Sequence, residues 1–85
     1  MSTETPTIPT RLNHAAVVAL IGRDIVNGKY AAGEILPFEE EFVEKLDVGR
    51  GVIREAIRVL AAKGLVETRP KRGTQVLPSS MWQLL

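Results

Sequence analysis

The stretch VGRGVIREAIRVL, residues 48–60, decides the fold of this chain. Its three arginines, Arg50, Arg54 and Arg58, are spaced four residues apart, which places them on one face of a helix. Beside them runs a set of apolar residues at the spacing of a helix face that packs on a core: Ile53, Ala56, Ile57 and Leu60. A helix that is apolar on one side and lined with arginine beside it suits insertion into the major groove of DNA. The stretch therefore predicts a DNA-reading helix.

Two further helices are expected before this one. A first helix should cover about residues 12–27, because apolar residues recur there at every fourth position and Gly28 follows as a stop. Those apolar residues are Val17, Ile21 and Ile25. A second helix should start near Phe38, with three glutamates, residues 39–41, in a first turn where negative charge suits the helix dipole. The third helix should then run over residues 50–63 and end at a glycine.

The residues after the third helix predict a hairpin. In residues 65–69 and 75–77, apolar and polar residues alternate or apolar residues follow one another, as in strands. The basic segment 70–73 joins these two stretches. Residues 35–36 could add a very short third strand. The predicted fold class is mostly α with a small β hairpin (α+β). Its architecture is a winged helix-turn-helix, with three helices and a two- or three-stranded antiparallel wing.

Composition excludes most other classes of protein. The 85 residues, 45% hydrophobic and 25% charged, suffice for one small soluble domain. With no cysteine and a single histidine, His14, neither a disulfide framework nor a thiolate or histidine metal site is expected, and no cofactor is implied. The longest apolar run, residues 15–21, is too short to span a bilayer, so the cytoplasm is the expected compartment. We find no nucleophile–base pair or phosphate loop, which argues against an enzyme.

Charge is divided unevenly along a chain whose overall net charge is only +1. Residues 34–47 carry six acidic side chains against Lys45, a net charge of −5. Residues 48–77 carry seven lysine or arginine side chains against Glu55 and Glu67, a net charge of +5. A basic half concentrated on one helix and one hairpin is typical of a nucleic-acid-binding surface, although a solvated helix face would produce part of the same pattern.

Several motifs resemble the N-terminal domain of GntR-family transcription regulators. They are residues 25–30 (IVNGKY), 33–37 (GEILP), 48–50 (VGR), 53–57 (IREAI), 64–66 (GLV) and 72–74 (RGT). The resemblance covers nearly all of residues 12–77 without an insertion, and the mutual spacing of the motifs makes it specific. It implies the operator-binding domain of a cytoplasmic, ligand-responsive bacterial regulator, such as a repressor.

The resemblance also implies how the chain is organised. Residues 1–11 are expected to be a flexible arm, residues 12–77 the DNA-binding domain and residues 78–85 a linker. The end of that linker, which includes Trp82, resembles the sequence that leads into the effector domain of the FadR-like branch, a domain absent from this chain. Full-length regulators of this kind bind a palindromic operator in double-stranded DNA as homodimers, and a small-molecule effector binds the C-terminal domain. The isolated domain is expected to be mostly monomeric.

The candidate DNA-binding residues lie on the third helix and on the wing. They are Gly49, Arg50, Gly51, Val52 and Arg54, together with Lys71, Arg72, Gly73 and Thr74. An arginine can donate two parallel hydrogen bonds to guanine, which lysine cannot imitate, and the family's arginines that match Arg50 and Arg54 contact DNA. The sequence departs from the family where Ser or Thr is common, at residues 49, 51 and 52. It departs again at Glu40, where the family commonly has a phosphate-binding arginine.

Less specific interpretations remain open for the same residues. Arg50 and Arg54 could be surface side chains paired with Glu55 or with the acidic second helix, and Arg58 could pair with Glu55. The whole module could then bind an acidic protein partner without reading bases. Two aromatic residues, Tyr30 and Phe38, are expected to pack in the small core, and Trp82 to anchor the missing domain.

Overall fold

The computed structural model describes residues 12–83. Three helices are followed by a hairpin and a short 3-10 turn: α1 (His14–Val26), α2 (Glu39–Leu46), α3 (Arg50–Ala62), β1 (Val66–Arg69), β2 (Gly73–Val76) and η1 (Ser79–Met81). This order confirms the predicted winged helix-turn-helix. The expected arm, residues 1–11, lies outside the described residues, and the domain boundaries stay a prediction. No helix within residues 12–83 has the length and apolar character needed to cross a membrane.

Helix α1 has the start and the buried face that its sequence predicts. The Oδ1 atom of Asn13 accepts a hydrogen bond from the backbone N–H of Ala16 at 2.8 Å, which caps the first turn. Gly28, with φ of +86°, turns the chain away after the last turn. The predicted apolar face is buried in the core: Val17, Ile21 and Ile25.

The core lies between α1, α3 and the hairpin. The buried face of α3 is formed by Ile53, Ala56 and Leu60, and the predicted fourth member, Ile57, is half-buried. Helix α2 adds Phe42, which is 5% exposed. Each large apolar side chain buried in this way contributes about 1.5–3 kcal/mol relative to leaving it in water. Helix α3, which the sequence predicts to read DNA, is therefore held in the core by its apolar face, and its opposite face lies at the surface.

The wing is an antiparallel hairpin whose second strand is covered on both sides. Strands β1 and β2 pair in the register Val66↔Val76 to Arg69↔Gly73. On the far side of β2, the backbone N–H of Leu36 donates to the carbonyl of Thr74 at 2.8 Å. The third strand allowed by the sequence is thus reduced to one bridge, Ile35↔Gln75. These bonds tie the wing to the segment that leads into α2.

The end of α3 is held against the C-terminal segment. Gly64, with φ of +77°, approaches this segment so closely that an added Cβ would overlap the carbonyl oxygen of Met81. The backbone N–H of Gln83 donates to the carbonyl of Lys63 at 2.6 Å. The indole Nε1–H of Trp82 donates to the carbonyl of Leu77 at 2.9 Å, and the ring packs half-buried on the core. The side chain that was expected to anchor a further domain is therefore packed on this one.

Candidate nucleic-acid interface

A tight turn sets the start of α3. Asp47 adopts the left-handed conformation with φ of +53°, and Val48 is buried beneath the turn. Gly49 is the N-cap of α3 and offers no capping side chain. A Cβ added at Gly49 or at Gly51 would meet nothing within 4 Å, so the fold itself does not require glycine there. Small residues at this end would let an anionic group approach the first-turn N–H groups, where the helix dipole favours negative charge.

The two arginines at the start of α3 are exposed and paired with α2. An Nη1 atom of Arg50 lies 3.6 Å from Oε2 of Glu40, and the Arg50 side chain is 53% exposed. The Nε–H of Arg54 donates to Oε2 of Glu39 at 3.1 Å, and the Arg54 side chain is 64% exposed. Ion pairs this exposed contribute about 0–1 kcal/mol, so both guanidinium groups can exchange partners when a ligand arrives.

These contacts settle two interpretations that the sequence left open. Arg50 pairs with the acidic second helix through Glu40, whose side chain is 70% exposed. Arg58 pairs with Glu55 within the helix at 3.8 Å, as its i, i+3 spacing predicts. The pairing of Arg50 and Arg54 with the acidic helix is also present, yet it leaves more than half of each arginine side chain exposed.

The wing brings two cations to its tip. Lys71 and Arg72 are exposed, and Lys71 adopts a left-handed conformation with φ of +66°. Arg69, by contrast, lies 3.3 Å from Glu67 and is partly neutralised by it. Among residues 12–83 neither Lys71 nor Arg72 forms a salt bridge, so both cations are available to an anion.

Three predicted contact residues have structural roles. Gly73 needs its glycine, because its φ is +95° and an added Cβ would lie 3.2 Å from side-chain carbons of Ile35 and Phe38. The Thr74 hydroxyl lies within hydrogen-bond distance, 3.2 Å, of the Thr68 hydroxyl across the hairpin. Val52 packs partly against the core. Their positions beside the arginines and the wing tip nevertheless keep them within the candidate surface.

A shared groove joins α3 to the wing. Its volume is about 360 Å³, and its lining residues are Glu39, Arg54, Ile57, Arg58, Ala61, Thr68 and Thr74. The arginine face and the wing therefore form one continuous surface. Within residues 12–83 no cluster of His, Cys, Asp or Glu has the arrangement of a metal site.

The sequence describes two residues of this surface incompletely or wrongly. It allows Arg54 to pair with the acidic second helix without naming the partner, which the structure identifies as Glu39. The prediction that Phe38 packs in the core is wrong, because its side chain is 63% exposed, whereas Tyr30 does pack against the core. Phe38 has an extended N-cap backbone with φ of −72° and ψ of 164°, so its side chain leaves the face that the buried Phe42 defines. Phenylalanine cannot cap a helix with a side-chain hydrogen bond, and its place directly before α2 was the sequence feature that could have revealed this position.

Comparisons with known proteins point to one family. A family model described as bacterial regulatory proteins of the gntR family matches residues 13–76. The galactonate operon transcriptional repressor of Escherichia coli (strain K12) is 42% identical over 69 residues, which are 81% of this chain and 30% of that protein. The Uxu operon transcriptional regulator of the same strain is 48% identical over 64 residues, 75% of this chain and 25% of that protein. The chain thus spans about a quarter to a third of the length of these relatives.

Among solved structures, AraR(DBD) in complex with operator ORR3 is similar to this chain with a TM-score of 0.75 and 28% identity. The match covers 89% of this chain and 92% of that one. The likeness therefore extends over nearly all of both domains, and that relative was crystallised on operator DNA.

Proposed function

This chain belongs to the gntR family of bacterial regulatory proteins, and from that premise we propose that it binds operator DNA for a transcription regulator. Helix α3 would enter the major groove, and the wing would contact the flanking groove or backbone. The observation that carries the proposal is the exposed pair Arg50 and Arg54 on the first two turns of α3, beside a wing with free cations. The operator complex of AraR(DBD) supports it.

Each part of the surface has a role that its chemistry suits. Arg50 and Arg54 would donate to base edges, because a guanidinium can bond both O6 and N7 of guanine. The stretch 49–52 would bring its backbone close to a phosphate, since two of its residues lack side chains. Lys71 and Arg72 would neutralise phosphates at the flanking groove. Gly73 and Thr74 would support that contact from the start of β2.

The remaining parts of the proposal concern a longer protein. We propose a homodimer on a palindromic operator, with dimer formation and effector binding in a C-terminal domain, and a mostly monomeric isolated domain. Cytoplasmic location, the absence of enzymatic activity and membership of the FadR-like branch belong to the same proposal. The names of the relatives, which are transcriptional regulators, support the absence of enzymatic activity.

The test is a selection from random duplex DNA at low salt, with the unaltered chain and with its Arg50→Ala and Arg54→Ala variants. We expect an enriched short half-site that both variants lose. Binding without enrichment would mean contact with phosphates only. No binding at all would favour the alternative, a module that binds an acidic protein partner.

A substitution at the wing tip separates phosphate contact from base reading. Replacing Lys71 with alanine is expected to weaken binding to all sequences by a similar factor, and to lower the slope of log K against log salt by about one. Alanine keeps a Cβ, so the left-handed strain at this position is nearly the same in both proteins. A salt titration on the selected duplex and on a scrambled duplex measures both quantities. An unchanged slope would exclude Lys71 from the interface.

A further inference from the structure

Phe38 leaves most of its ring exposed and buries the rest against the base of the wing. Among the described residues it is the most exposed large apolar side chain, at 63%, and Ile35 nearby is 41% exposed. Phe38 is also the N-cap of α2 and makes no capping hydrogen bond, which Ser, Thr, Asp or Asn would make. Two neighbouring apolar side chains that are both exposed, one of them at the uncapped start of a helix, form a candidate contact surface.

The ring lies between the arginine face and the wing. A Cβ added to Gly73 of β2 would be 3.2 Å from Cε1 of Phe38 and 3.2 Å from Cγ2 of Ile35. The next residue in the chain, Glu39, accepts the hydrogen bond of Arg54. We name Ile35, Phe38 and Gly73 the wing-base patch. The patch is thus flanked by a reading arginine of α3 on one side and by the hairpin on the other.

We infer that the wing-base patch binds a deoxyribose of the DNA strand that separates the two grooves, an inference that rests on the proposed function. If α3 lies in the major groove and the wing tip reaches the adjoining groove, the surface between them faces the strand that forms the wall of both grooves. The apolar part of that strand is its sugar.

Cations lie on both sides of the patch, and Glu39, the acidic neighbour of Phe38, is paired with one of them, Arg54. Arg54 lies on one side, and Lys71 and Arg72 lie on the hairpin that adjoins the other. Each deoxyribose has a phosphate on both sides, which these cations would neutralise, while the uncharged patch contacts the C–H groups between them. An apolar ring between cations fits an alternation of anionic phosphate and apolar sugar.

This contact has a signature that differs from that of any charged residue. A sugar contact carries no sequence information, so its loss weakens binding to operator and to scrambled DNA by the same factor. It releases no counterion, so the salt slope does not change. A serine at the N-cap of α2 would supply the missing cap, which offsets the loss of the ring's contact with the base of the wing.

The experiment compares the unaltered chain with Phe38→Ser, Phe38→Tyr and Met81→Ser. Met81 is 54% exposed and lies outside the wing-base patch, which makes Met81→Ser the matched control for loss of an exposed apolar side chain. Each protein is titrated with the selected duplex and with its scrambled version over a salt series, and its thermal unfolding is recorded.

We expect Phe38→Ser to bind both duplexes about five- to tenfold more weakly, as the loss of a small buried apolar area predicts. The salt slope should match that of the unaltered chain, and the unfolding midpoint should be equal or higher. Phe38→Tyr, which keeps the ring, and Met81→Ser should bind like the unaltered chain.

Three results would overturn the inference. Equal affinity of Phe38→Ser and the unaltered chain would show that the patch does not touch DNA. A weaker affinity with a lower unfolding midpoint would assign Phe38 to the packing of the wing. A loss that is confined to the selected duplex would indicate a base contact instead of a sugar contact. If the unaltered chain bound neither duplex, the proposed function would fail together with the contact.

Discussion

Replacing Arg54 with alanine is expected to weaken binding to the selected operator by about 1–3 kcal/mol and to relax the base preference at one position. In the free chain Arg54 donates to both carboxylate oxygens of Glu39, at 3.1 and 3.3 Å. An ion pair this exposed is weak, so the guanidinium can exchange Glu39 for a base edge when DNA arrives. Removing the side chain removes the donor and also leaves Glu39 without its partner near the DNA phosphates.

Arg58→Ala is the matched control for this prediction. It makes the same change of charge on the same helix, one turn farther from the N-terminus, and Arg58 pairs only with its neighbour Glu55 among the described residues. We expect Arg58→Ala to leave the base preference intact. Affinities for a set of duplexes with single base changes give the comparison. Equal effects of the two substitutions would mean that Arg54 acts through charge alone and that α3 does not read bases through it.

Replacing Gly64 with alanine is expected to destabilise the fold by about 3 kcal/mol, through left-handed strain and steric overlap. The φ of +77° at Gly64 is costly for any residue with a Cβ, and that Cβ would overlap the carbonyl oxygen of Met81. The overlapped atoms belong to the backbone of Met81, which cannot move aside as the end of a flexible side chain can. The C-terminal segment would therefore have to move away from α3 and lose the bond between Gln83 N–H and the Lys63 carbonyl.

Gly28→Ala separates the two causes. Gly28 has a similar φ of +86°, but an added Cβ there would meet nothing within 4 Å, so only the strain of about 1–2 kcal/mol applies. Urea unfolding of both variants gives the free energies. Fluorescence of the single tryptophan, Trp82, reports whether its segment has left the core. If both variants lost the same stability and kept the same emission, the close contact at Gly64 would not matter to the fold.

Periodicity was sufficient to predict the helices because each buried face repeats within one element. Val17, Ile21 and Ile25 form the predicted face of α1, and the arginines at 50 and 54 lie on the exposed side of α3 as expected. These are local patterns. They depend on 3.6 residues per turn and on nothing farther along the chain.

Such local patterns cannot predict which residues of different helices and strands contact each other. The pair Glu39–Arg54 joins residues 15 positions apart, and its existence depends on how α2 crosses α3. The contact of Gly64 with Met81 depends on the path of the chain after the hairpin. Phe38 was misplaced because an apolar residue next to a helix was assigned to the core, although the N-cap backbone directs it outward. The basic surface could be predicted from the distribution of charge along the chain, and the pair Arg58–Glu55 from its spacing, whereas the partner of Arg54 on α2 could not be identified.

The coverage of β2 on both sides has a consequence for self-association. Because Leu36 bonds to the far side of β2, only the outer edge of β1 is left without a strand partner in the described residues. That edge is four residues long and includes the charged residues Glu67 and Arg69. Short, charged edges resist the edge-to-edge pairing from which aggregates grow. The free edge of the hairpin is therefore poorly suited to pairing with a strand from a second copy of the chain.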